Sequence, residues 1–303
     1  MVQQLRGVIA AMVTPMQPDE ALDDAAIPHL VEHLVGHEGV HGILVVGGTG
    51  ELASLSAEER RRMIVATVSA VAGRVPVIVG TSGSATREVA RSCQEAQALG
   101  ASAVLVGHPV YWHPSTRELL RFYGDVAAAL DIPVVLYNNP GATGVDLQPE
   151  QIAELSAAGQ VRYVKESSGD ASRISRLRLL CGDRLGVLCG SDHLAFEAFA
   201  AGAQGFIAAA ANAVGRSAVE LFRLVAEQGD LESGRRLNDR LLPFTTLIET
   251  TGKYVQLAKM ALNDQGVHVG PPRRPLLPLD GDEAAAARAA LAVALGDMRE
   301  RSS

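Results

Sequence analysis

Two side chains of this 303-residue chain stand where short apolar runs end and chemistry could begin. Lys165 follows Val161-Arg162-Tyr163-Val164, and Tyr137 closes the run that starts at Pro133. Burial disfavours the ammonium form of a lysine, and an unprotonated amine attacks a ketone carbon to form an imine. A phenol nearby can give or take the protons that this reaction moves. A third segment, Gly47-Gly48-Thr49-Gly50-Glu51, offers successive backbone N–H groups and a hydroxyl to a carboxylate. Each has a plainer reading: Lys165 paired with Glu51 or Glu166, Tyr137 capping a core, the glycines making an ordinary turn. The glycine segment lacks the lysine and spacing of a phosphate-binding loop. Together the three describe a carboxylate cradle, a proton shuttle and an amine.

Such residues must be gathered at one place, and the apolar runs say how. Eight of them, at 7–15, 42–47, 76–82, 103–109, 133–140, 161–168, 186–192 and 205–212, are rich in Val, Ile or Leu. Continuous apolarity without alternation is what a strand covered on both faces requires. Helical patterns lie between them, as at 56–72, 85–99, 116–130 and 148–158, with Ser56 before Glu58 and Glu59, and Pro149, as N-terminal signals. Eight βα units in succession predict a closed (β/α)8 TIM barrel, with its active site at the C-terminal ends of the strands. No GxGxxG opens a βα turn, which weighs against a dinucleotide fold. After Asn212 the pattern is all helical, at 216–228, 231–249, 253–263 and 282–298, with a proline-rich bridge at 271–278. The expected division is residues 1–214 as the barrel carrying the site and 215–303 as a C-terminal helical appendage.

A net charge of −7 and scattered basic residues exclude a nucleic-acid patch. The densest basic run, Arg60-Arg61-Arg62, sits in a helical pattern beside Glu58 and Glu59. Cys93, Cys181 and Cys189 show no CxxC spacing and fit a reduced compartment. No stretch has the length and apolarity of a membrane span. The expectation is a soluble, cytoplasmic protein without membrane or nucleic-acid partners.

The motifs carry a resemblance. The segments 47–51, Tyr137-Asn138-Asn139-Pro140 with Thr143-Gly144, Val164-Lys165-Glu166-Ser167-Ser168-Gly169-Asp170, Gly190-Ser191-Asp192 and Gly205-Phe206-Ile207 resemble those of the dihydrodipicolinate synthase and N-acetylneuraminate lyase family. These are class I, pyruvate-type aldolases, and the likeness spans the barrel and the C-terminal helices. It implies Lys165 as the Schiff-base lysine and Tyr137 as the acid–base residue. It further implies Gly48 and Thr49 holding the pyruvate carboxylate, and Ile207 packing on the keto acid. Ser167 would touch the tail of the substrate, and Tyr111 would reach a neighbouring subunit's site. A homotetramer built as a dimer of dimers follows, with no cofactor beyond the covalent imine.

Two departures bear on substrate. Gly48 stands where the synthases carry a hydroxyl that links two tyrosines, and Ala142 where they carry an arginine for the second substrate's carboxylate. Val110 replaces a tyrosine of the lysine-inhibited synthases. Cleavage or condensation of a hydroxylated 2-oxo acid, of the 2-keto-3-deoxy sugar acid type, is therefore expected ahead of 4-hydroxy-tetrahydrodipicolinate synthesis. A sugar acid dehydratase is a further alternative. Outside that class stand a metal-dependent aldolase using His29, His33 and His37, and a barrel that binds a 2-oxo acid without turnover. Asp192 either orients a substrate hydroxyl or caps a helix, Cys189 reads as a small buried thiol, and Trp112 and His113 as pocket or subunit-contact residues.

Overall fold

The structure, a computed structural model, describes residues 4–296. Its strands are β1 (Gly7–Ala11), β2 (Gly42–Val45), β3 (Val77–Thr81), β4 (Ala103–Gly107), β5 (Val134–Asn138), β6 (Tyr163–Glu166), β7 (Gly186–Cys189) and β8 (Gly205–Ala208). All pair in parallel and in chain order, and β8 returns to β1 to close the barrel. The expected (β/α)8 architecture is what the chain forms.

The strands are covered on both faces because alternate residues serve two cores. Leu5, Ile9, Ala11, Leu44, Ile78, Ala103, Leu105, Val135, Leu188 and Ile207 fill the lumen, with Tyr137 and Tyr163 packed against them. The intervening residues face the surrounding helices in the larger core.

Local signals set the helix ends. Ser56 and Ser115 each close a capping box, with Glu59 and Glu118 respectively, and Pro149 begins its helix. The arginine run lies on an exposed helix face, but its partners are distant: Arg61 reaches Glu95, and Arg62 reaches Asp24. Glu59 is instead taken by Arg273, 2.6 Å away, from the proline-rich bridge.

The helix after β8 runs Ala211–Phe222, and the expected division at residue 214 falls inside it, where Val214 departs from helical φ/ψ. It continues as a π-turn, Arg223–Glu227. The helices Leu231–Thr250, Tyr254–Asp264 and Gly281–Leu295 follow, close to the expected spans. The last residues of the expected 282–298 helix lie outside the described residues. No described helix is long and apolar enough to cross a membrane.

Candidate active site

The C-terminal ends of the strands open into a cavity of about 580 Å³. Its lumen-side floor is Ala11, Leu44 and Leu105; Gly48, Thr49, Tyr137, Lys165 and Ser167 line its walls. A slightly larger cavity, about 620 Å³, lies between the C-terminal helices and the bridge and receives no strand-end lysine or tyrosine.

Tyr137 and Lys165 are register partners on β5 and β6, so one pleat aims both inward at the same level. The Lys165 amine lies 4.5 Å from the centre of the Tyr137 ring. Lys165 is only 7% exposed and makes no ion pair among the described residues. The two carboxylates that could have claimed it are engaged elsewhere. Glu51 pairs with Lys259 at 2.5 Å, with both side chains 1% exposed. Glu166 accepts hydrogen bonds from Asn138 Nδ2 at 3.2 Å and from the Ser168 N–H at 2.8 Å. Burial raises the Glu166 carboxyl above its usual range.

Asn139 fixes the phenol. Its Oδ1 accepts from the Ala142 N–H at 3.1 Å, which turns its Nδ2 to donate to Tyr137 Oη at 2.8 Å. The phenol oxygen is thereby an acceptor on that side, leaving its own proton free for the cavity.

The cradle bends sharply. Val46 and Glu51 flank it with φ of 56° and 58°, left-handed values that cost non-glycine residues about 1–3 kcal/mol each. Neighbouring strands hold it there. Thr14 Oγ1 donates to Gly50 O at 2.6 Å, and Gly80 lets the cradle pass, since a Cβ at 80 would lie 2.3 Å from Val46 O. The N–H groups of Glu51 and Leu52 bond within the turn, while those of Gly48 and Thr49 have no protein acceptor among the described residues. Two free N–H groups beside a hydroxyl suit a carboxylate.

Other lining residues had no role in the sequence reading, or, as with Asp192, an open one. Gly190 is a clearance: a Cβ there would meet Lys165 Cε at 2.7 Å and Ser167 Oγ at 1.9 Å. Asp192 does cap, but not its own helix, accepting from Ala210 N at 2.6 Å and Ala209 N at 3.3 Å at the end of β8. Burial pushes its carboxyl up to about 7, against the pull of the Ala210 N–H and with the Glu249 charge adding to the rise. Ile248, Glu249, Thr250, Gly252 and Tyr254 come from two C-terminal helices and the connection between them, and complete the wall. Their only sequence signal was a place where one helical pattern ends and the next begins.

Other candidates lie apart. Ile207 is fully buried in the lumen and outside the cavity lining. Tyr111 is 77% exposed, packs its ring on Trp112, and does not line its own chain's cavity. Cys189 is buried, which pushes its thiol up to about 12. The helix carrying His29 passes into a π-turn over His33–His37, and no metal-binding group of three His, Cys, Asp or Glu occurs among the described residues.

A closed parallel barrel whose strand ends gather an amine, a phenol and a glycine-rich cradle is the build of a class I, pyruvate-dependent lyase or aldolase. The chain belongs to the dihydrodipicolinate synthetase family, whose model matches residues 4–294. It is 36% identical over 293 residues to the 4-hydroxy-tetrahydrodipicolinate synthase of Pelobacter propionicus, covering 96% of this chain and 99% of that one. Its structure is similar to that of the dihydrodipicolinate synthase of Acinetobacter baumannii complexed with pyruvate (TM-score 0.90, 32% identity, 96% and 99% covered). It is also similar to a monomeric dihydrodipicolinate synthase variant (TM-score 0.89, 31% identity, 95% and 96% covered).

Proposed function

We propose that Lys165 forms an imine with pyruvate or a related 2-oxo acid, and that the enzyme cleaves or condenses a hydroxylated 2-oxo acid through it. The observation that carries this is a nearly buried amine, free of any carboxylate, in register with a phenol at the barrel mouth. The Lys165 nitrogen adds to the ketone carbon, and the carbinolamine oxygen takes a proton from Tyr137 and departs as water. The protonated imine withdraws electrons, so a C–C bond two atoms away can break to an enamine, or form from one. The free N–H groups of Gly48 and Thr49, with the Thr49 hydroxyl, hold the carboxylate. Ser167, whose Oγ is buried without a partner among the described residues, faces the substrate's tail, and Ile207 supports the lumen floor. No cofactor is needed, because the imine is itself the electron sink.

The relatives' name favours a second reading, 4-hydroxy-tetrahydrodipicolinate synthase, which condenses pyruvate with aspartate semialdehyde. The cavity lining speaks against it. Lys165 is the only basic side chain among the lining residues, Ala142 offers no guanidinium, and Glu249 supplies a carboxylate. A second substrate carboxylate would find repulsion where a bidentate partner is required. Hydroxyl groups would find acceptors instead.

The exposed Tyr111 and Trp112 rings support association with a second copy, and a homotetramer is the assembly proposed; ultracentrifugation checks it. Turnover assays decide the substrate. Pyruvate release from 2-keto-3-deoxy sugar acids, exceeding condensation with aspartate semialdehyde, is expected; the reverse preference overturns the assignment.

A further inference from the structure

The C-terminal helices do more than wall off the cavity. A Cβ built on Gly48 would stand 3.5 Å from the phenol oxygen of Tyr254. That hydroxyl therefore occupies the space above the carboxylate cradle into which a side chain at position 48 would project. Tyr254 lines the same cavity as Tyr137 and Lys165, and also an adjoining, mainly apolar cavity of about 480 Å³. It is nonetheless 37% exposed, so the residue spans from the site to solvent. Burial, and then the nearness of Tyr137, raise its phenol above the usual range, which keeps the proton on until it is needed.

We propose that Tyr254 is the second proton-carrying group of this site, passing protons between Tyr137 and bulk water. The inference rests on the imine reading above but names a residue that reading does not require. When the carbinolamine C–O bond breaks, the departing oxygen takes the Tyr137 proton and leaves as water. The Tyr137 phenolate then takes the Tyr254 proton, directly or through one bridging water, and Tyr254 recovers its own from solvent. Enamine formation runs the chain the other way: Tyr137 first passes its own proton through Tyr254 to water, and the phenolate so formed takes the proton leaving the pyruvate methyl.

The placement is built in. Tyr254 opens the helix Tyr254–Asp264, and the buried Lys259–Glu51 pair ties that helix to the end of the cradle. Lys253, the preceding residue, pairs with Glu283 of the last helix. The distance between the phenol and the cradle is thus set by a buried pair rather than by a loose loop.

The test needs only pyruvate. In D2O, the intact enzyme should exchange the methyl hydrogens of pyruvate, followed by NMR, and borohydride should trap the adduct on Lys165. Tyr254→Phe keeps the ring and removes the proton. Its trapped fraction at equilibrium should match the parent, while methyl exchange slows at least about tenfold, because the abstracted proton returns before it can escape. Tyr254→His, which restores a proton carrier, should exchange faster than Tyr254→Phe per trapped Lys165, a ratio that removes any poorly folded fraction of either variant. Equal exchange rates and pH profiles for parent and Tyr254→Phe overturn the proposal, as does a histidine variant no faster than phenylalanine while both trap pyruvate. A parent that forms no adduct overturns the imine reading first, and this inference with it.

Discussion

Adding one methyl group at position 190 should disable imine formation without unfolding the barrel. The backbone at Gly190 can hold alanine, since its φ lies outside the left-handed region; the conflict is with side chains. The new Cβ would sit 2.7 Å from Lys165 Cε, 2.8 Å from Lys165 Cγ and 1.9 Å from Ser167 Oγ. Ser167 Oγ has no hydrogen-bond partner among the described residues and can rotate aside. The lysine stem cannot clear so easily. Apolar carbons settle at about 3.5–4.0 Å, so it must withdraw by roughly 1 Å. A displacement of about 1 Å at a reacting group costs on the order of 10²-fold in rate, or about 2.7 kcal/mol in the barrier. Overpacking itself should cost about 1–3 kcal/mol of stability, leaving a cooperative melt. The assay mixes Gly190→Ala with pyruvate, quenches with borohydride at intervals and measures the labelled Lys165 peptide by mass. Labelling within twofold of the parent refutes the reasoning. So does full recovery in Ser167→Ala/Gly190→Ala, which would place the conflict at Ser167 rather than at Lys165.

Two further perturbations probe the groups that hold the site. Asp192, pushed up to about 7, binds a proton in the folded state that the unfolded chain, with an ordinary carboxyl near 3.9, releases. Its contribution to stability is full below about pH 4, is lost as pH rises to about 7 and is flat above that. Asp192→Asn lacks this slope, so the parent's stability relative to the variant should fall across that window in urea melts; a difference constant from about pH 4 to pH 8 contradicts the placement of this carboxyl. Lys259→Met strands the Glu51 carboxylate in a site where both partners are 1% exposed. A loss of about 3–5 kcal/mol is expected by denaturant unfolding, and parent-like stability would show that the pair holds nothing.

The fold was legible because its signals are local and redundant. Val-, Ile- and Leu-rich runs, glycine or proline closures and capping serines each point to the same βα unit, and none depends on a distant partner. Within the site, legibility followed the strands. Lys165 and Tyr137 could be placed because a strand's last inward residue is fixed by alternation. The cradle was readable as a glycine-rich turn, though not the left-handed Val46 that shapes it. What could not be read is whatever depends on pairing across the chain. Glu51 stood as a candidate partner for Lys165, yet it belongs to Lys259. Glu59 looked like a neighbour for the arginine run, yet Arg273 takes it from the far end of the sequence. Tyr254 and Glu249 lie where one helical pattern gives way to the next, and only tertiary packing turns that connection into a wall of the cavity. Asp192 was open between two local roles, and the structure gives it a third: it accepts the N–H groups at the end of β8 while lining the cavity.

The central claim is covalent, and mass reports it directly. The enzyme is incubated with saturating pyruvate, reduced with borohydride, digested and mapped. A single reduced pyruvate adduct on the peptide containing Lys165, absent from Lys165→Arg, is the predicted result. An unmodified Lys165 peptide, or an adduct on Lys253 or Lys259 instead, would contradict it.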